Sequence, residues 1–154
     1  MRWLRVSNQI TSLSLEYSLK EYLSSLTGID VEILYSGIES PTNLPYIRLR
    51  NVPSFHNSIS KNKETIEAVY NFEVILFAET RYELGELRNI ITKSLIFDEI
   101  PYYNSDGEET NYKLIINDGI TESPVFPSNI ENETSYHQVT YDFSITVTYH
   151  KNKN

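Results

Sequence analysis

The chain has 154 residues, 40% of them hydrophobic, with a formal net charge of -8 and no cysteine. That length suits one compact domain, that charge argues against a protein that coats nucleic acid, and the lack of cysteine removes disulfides, thiolate metal sites and cysteine nucleophiles. No run approaches the roughly 18 apolar residues of a membrane-spanning helix, and residues 1–10 lack the apolar run of a signal peptide.

Residues 1–11 carry few ordering signals and read as an N-terminal arm. The pattern predicts a helix from Ser12 to Thr27, with Leu15, Leu19, Tyr22, Leu23 and Leu26 as its apolar stripe. Glu16 suits the positive end of its dipole, and Gly28 suits a left-handed C-terminal cap. Ile29 to Tyr35 reads as a short strand. Ser36 to Pro45 is a loop broken by Gly37, Pro41 and Pro45. Tyr46 to Val52 is a second strand with Ile47 and Leu49 on one face. Pro53 to Asn62 is polar, and reads either as a mobile loop or as a long hairpin extension.

The strongest unit follows. Tyr70 to Ala78 alternates, placing Tyr70, Phe72, Val74, Leu76 and Ala78 on one face. It runs through Glu79-Thr80 into a helix ending near Ile96, whose Leu84, Leu87, Ile91 and Leu95 make a single stripe. Thr80 and Glu83 have the spacing of a capping box. Gly85 lies inside this helix, and close helix packing is its ordinary explanation. Tyr102-Tyr103 and Asn111 to Ile116 read as strands around the turn Asn104 to Gly107. Residues 117–135 read as loop, with Pro124 and Pro127. The last strand places Val139, Tyr141, Phe143, Ile145, Val147 and Tyr149 on one face, and the tail 151–154 frays.

This order predicts a single α+β domain over residues 1–154, its core spanning 12–150. It has a mainly antiparallel sheet of about six strands and two helices packed on one face. The other face is left open, with Asn71, Glu73, Ile75 and Phe77 beside the Thr/Ser row of the last strand. Ile75 and Phe77 are unusual on a wet face, and mark either a buried half-strand or a subunit contact. Phe55 in the polar loop is either a satellite contact of the domain or an anchor for a partner. The candidate partner-contacting residues are therefore Phe55, His56, Lys61, Lys63, Ile75 and Phe77. The 12 tyrosines suit surfaces that become interfaces.

Reactive chemistry is missing from the pattern. His56, His137 and His150 share no metal-ligand spacing. No nucleophile elbow and no glycine-rich phosphate loop is present. The carboxylates at Asp98-Glu99 and around Asp106 to Glu109 fall in turns, where a solvated charge run is the default. No enzyme, metal or cofactor is expected.

Several segments together resemble the tail terminator (tail completion) proteins of long-tailed bacteriophages. They are the helix Leu13 to Leu26 leading into Val31 to Tyr35, the segment Asn43-Leu44-Pro45-Tyr46-Ile47-Arg48-Leu49, the strand Tyr70 to Ala78 with Glu83-Leu84 and Leu87 after it, and the strand Tyr141 to Val147. The resemblance covers most of residues 13–150 and rests on hydrophobicity and size rather than a strict motif. It implies a structural virion protein of the tail neck, assembled in the host cytoplasm. Such a protein forms a homo-oligomeric, hexameric ring on the tail tube protein, ends tube growth and docks the head-to-tail connector or stopper. DNA passes through the lumen without specific binding, and no membrane is involved. Other readings are a different neck component such as a head–tail stopper and, in a different class, a small-ligand binding module.

Overall fold

The computed structural model describes residues 10–33, 43–58, 64–125 and 137–151, without the side chains of Phe55, Asn57 and Val125. Helix α1 (Ser12–Thr27) leads to strand β1 (Val31–Ile33), then β2 (Tyr46–Ser58) and β3 (Thr65–Ala78). Helix α2 (Arg81–Phe97) is followed by β4 (Ile100–Tyr103), β5 (Glu109–Leu114), β6 (Thr121–Val125) and β7 (His137–His150). The fold is α+β. Five strands form one sheet in the order β1-β2-β3-β7-β6, and β4 and β5 form a separate hairpin. Among the described strands of the sheet only β1 and β2 run parallel; β2–β3, β3–β7 and β6–β7 are antiparallel.

The helices begin and end where local chemistry dictates. Thr11 caps α1, its hydroxyl accepting from the Ser14 amide while the Ser14 hydroxyl accepts from the Thr11 amide. Glu16 lies beyond the first turn, so this Thr11–Ser14 pair makes the cap. Gly28 closes the helix at φ 70°, its N–H donating to the Ser24 carbonyl. At α2, Thr80 accepts from the Glu83 amide as expected. The return bond departs from the capping box: the Glu83 carboxylate accepts from Glu79 N–H, one residue before the cap.

Alternation then builds the core. Ile47 and Leu49 of β2, Phe72, Val74 and Leu76 of β3, and the odd-numbered row Val139 to Val147 of β7 are all buried. Leu15, Leu19 and Leu23 of α1 and Leu84, Ile91 and Leu95 of α2 join them in one cluster, so both helices cover the same face. Each such side chain contributes about 1.5–3 kcal/mol when fully buried. The β4–β5 hairpin is fastened to α1. Ser18 Oγ donates to the Ser14 carbonyl and accepts from the Tyr103 amide, and the Tyr102 hydroxyl donates to Ser14 Oγ.

Three sequence expectations need correction. Residues 121–125, read as loop, form edge strand β6, paired from Thr121 with Asp142 to Val125 with Gln138. Pro124 is tolerated there because an edge strand leaves one row of backbone groups unpaired. The second strand does not stop at Val52. It continues to Ser58 through an irregularity between Val52 and Phe55, which makes Pro53–Ser58 a hairpin extension. Pro53 sits in that irregularity, where its missing N–H costs no ladder bond, and its carbonyl accepts from the Asn71 side chain at 2.9 Å. Gly85, expected to permit close packing inside the domain, is exposed, and among the described residues no atom outside its own helical turn lies within 4 Å of where its Cβ would stand.

Candidate functional site

Because alternate residues of each strand point to the helices, the residues between them point away. On this outer face Tyr46 stands opposite Phe77, Arg48 opposite Ile75, and Arg50 opposite Glu73. The Tyr46 and Phe77 rings stack with centroids 4.6 Å apart and planes at 21°. The Arg48 guanidinium lies over both, 5.9 and 5.8 Å from the two centroids. Both Phe77 and Tyr46 are buried, on the face of the sheet away from the two described helices. Ile75, next to Arg48, is half-buried.

The next row is charged. Arg50 pairs with Glu73 at 3.0 Å, and Glu73 also stands opposite exposed Asp142 of β7. Glu32 of β1 stands opposite Arg48. Both oxygens of the Glu32 carboxylate are shielded from solvent and have no hydrogen-bond partner among the described residues, an arrangement that costs free energy unless another group satisfies it. Arg88 of α2 pairs with Glu122 of β6 at the opposite edge of the sheet.

Toward the β2–β3 extension, the helix-side face opens into a groove of about 860 Å³ lined by Ile10, Val52, Pro53, His56, Tyr70 and Tyr149, among others. The His56 ring meets Tyr70 edge-on, with centroids 6.0 Å apart. The Tyr70 and Tyr149 hydroxyls are 2.6 Å apart. Burial pushes the Tyr149 hydroxyl above its ordinary pKa.

The predicted contact residues divide. Ile75 and Phe77 stand together on the outer face, and His56 is exposed on the hairpin extension. Phe55 pairs with Val69 through its backbone; its side chain, with Lys61 and Lys63, lies outside the described residues. Sequence reasoning missed Tyr46 and Arg48, which complete the Phe77 cluster. Their signal was present, since both alternate with the buried Ile47 and Leu49.

The carboxylate groups fall in structural settings. Asp98 accepts from the Tyr22 hydroxyl at 2.7 Å. Asp106 to Glu109 follow a turn held by Asn104, whose Oδ1 accepts from the amides of Asp106 and Glu108. Among the described residues no three His, Asp or Glu side chains gather as a metal site.

No protein-family profile matches the chain, and no curated protein matches it. The fold recurs among solved structures. One, known by a sequence identifier alone, aligns over 99% of this chain and 99% of its own at 11% identity, with a TM-score of 0.52. Another is a chain of a virion of a native gene transfer agent (GTA) particle. It aligns over 96% of this chain and 91% of its own at 11% identity, with a TM-score of 0.43. At such identity the first likeness is one of fold alone, and the second is too loose to bear on function.

Proposed function

We propose that this chain is the terminator of a bacteriophage tail tube, a structural protein that caps the head-proximal end of the tube as a ring. The resemblance of its segments over residues 13–150 supports this reading. The structural observation that carries it is the outer sheet face, which bears an aromatic–arginine cluster and mixed charges and continues into the long β2–β3 pairing up to Ser58 and Ile66. A closed ring of identical subunits needs two different, complementary patches on each. The outer sheet face and the far end of the β2–β3 pairing are such a pair. One subunit layer whose far side lacks the tube-building surface leaves the next layer nothing to add to, so growth stops. The same far side receives the connector, and DNA crosses a lumen that does not bind it.

The reading assigns no catalysis and no cofactor. Added to growing tail tubes, the protein should halt elongation without any small molecule, and electron microscopy should show capped tubes. Deleting its gene should leave overlong or headless tails. Binding to filled heads but not to tubes would indicate a stopper instead. Normal infectious particles from the deletion would refute the assignment.

A further inference from the structure

Helix α2 buries Leu84, Ile91 and Leu95 and turns a second stripe to solvent. Tyr82, Gly85, Glu86, Asn89, Lys93 and Ile96 recur at three- and four-residue steps and share that outer face, and all are exposed. Two features are unusual for a solvent face. Tyr82 is 76% and Phe97 79% exposed, one large apolar group at each end of the helix. Gly85 weakens the helix relative to alanine, yet among the described residues outside its own helical turn nothing lies within 4 Å of where its Cβ would stand. A bare backbone flanked by exposed rings is the surface at which a second helix can come close.

The order of side chains along the stripe selects that helix. From N- to C-terminus it reads aromatic, acid, amide, base, apolar. A copy laid antiparallel sets Tyr82 against the partner's Ile96 and Phe97, and Glu86 against the partner's Lys93. The Tyr82–Phe97 and Glu86–Lys93 pairings are centred on the same point, between Asn89 and Ile90, so one two-fold axis satisfies them together. Glu86 and Lys93 lie to the same side of the stripe, and the two-fold rotation keeps them on the same side of the contact. A parallel copy would instead oppose Glu86 to Glu86 and Lys93 to Lys93. A uniformly acidic or basic partner would match only half of the stripe.

We infer that the outer face of α2 is a two-fold contact between two copies of this chain, closed by reciprocal Glu86–Lys93 ion pairs and by Tyr82 seated on Ile96 and Phe97. Gly85 admits the close approach of the two helices, and Asn89 lies near the axis. The contact is one helix pair, smaller than the roughly 1,600 Å² of a standard interface, so the dimer is weak and depends on concentration. It lies on the opposite side of the sheet from the outer face and is independent of ring closure.

Sedimentation velocity of the full chain over a micromolar concentration series tests it. The expected result is a concentration-dependent doubling of mass, weakened roughly tenfold by Lys93→Glu and largely restored when Glu86→Lys is added to it. Both positions are exposed, so circular dichroism and Tm should not change. A monomer at every concentration, an association indifferent to Lys93→Glu, or a double variant no better than the single one would each overturn the inference. A hexamer whose mass Lys93→Glu leaves unaltered would do so too, while leaving the terminator assignment intact.

Discussion

The Tyr149 hydroxyl donates to the Ile10 carbonyl at 2.6 Å, tying the segment that enters α1 to the far end of β7. A tyrosine has one proton to give, so the Tyr70 hydroxyl, 2.6 Å away, must donate to Tyr149. Tyr149→Phe therefore removes two bonds and leaves the Ile10 carbonyl unpaired. The expected loss is about 1–3 kcal/mol, read as a lower urea midpoint with an unchanged denaturant slope. Tyr70→Phe, which removes only a donor, should cost less.

Alkaline pH should unfold the protein through its tyrosines. Burial pushes the Tyr141 hydroxyl up to about 12, and burial likewise raises Tyr22, with help from its hydrogen bond to Asp98, and Tyr149. A phenol whose folded pKa exceeds its unfolded value of about 10 favours folding fully below pH ~10. That contribution is lost as pH rises through the folded pKa. Urea midpoints should hold steady to about pH 9.5 and then fall, and Tyr141→Phe should flatten the fall.

Ser18 fastens the β4–β5 hairpin to α1. Ser18→Ala takes the acceptor from Tyr103 N–H, whose bond is 2.9 Å long. Stability should drop by about 1–3 kcal/mol, and hydrogen exchange at the Tyr103 amide should accelerate more than elsewhere in the hairpin.

The stripe of α2 should show a gradient. Ile91 is buried and Leu87 only partly so. Ile91→Ala should cost about 2–5 kcal/mol, and Leu87→Ala distinctly less. Equal costs in denaturant titrations would contradict the burial described here.

Gly85→Ala should stabilise the isolated subunit. With nothing within 4 Å of the new methyl, only the helix preference changes, by about 0.5–1 kcal/mol in favour of alanine. A raised Tm checks it.

What could be read in the sequence was set by how strongly one face is buried. β3 and β7 alternate without interruption because their inner residues meet the helices and no other arrangement hides them. Both helices were legible from a single stripe each, and the Asn104–Gly107 turn from its residue types. β6 was not, because an edge strand of Thr, Glu, Ser, Pro and Val has no apolar face to announce it. The extension of β2 was undecidable for a related reason: its polar residues gain order from pairing with β3, and register is a property of two strands. The Tyr46–Phe77–Arg48 cluster shows the same limit. Phe77 was flagged as unusual, but its neighbours are set by pairing across strands, not by proximity in the chain.

β3 and β7 pair along their whole length, from Thr65 with His150 to Ala78 with His137. Everything from Glu79 to Tyr136 is an excursion that must return before the middle of the sheet exists. The β2–β3 hairpin can form early, since its strands are near neighbours, whereas β3 to β7 is a distant closure of the kind that slows folding. On the ribosome, β3 therefore waits with a bare hydrogen-bonding edge until β7 emerges. During that interval its edge is open to a strand from any nearby nascent chain. Rapid synthesis at high local concentration should expose this protein to mispairing, and slower translation or holdase chaperones should raise its soluble yield.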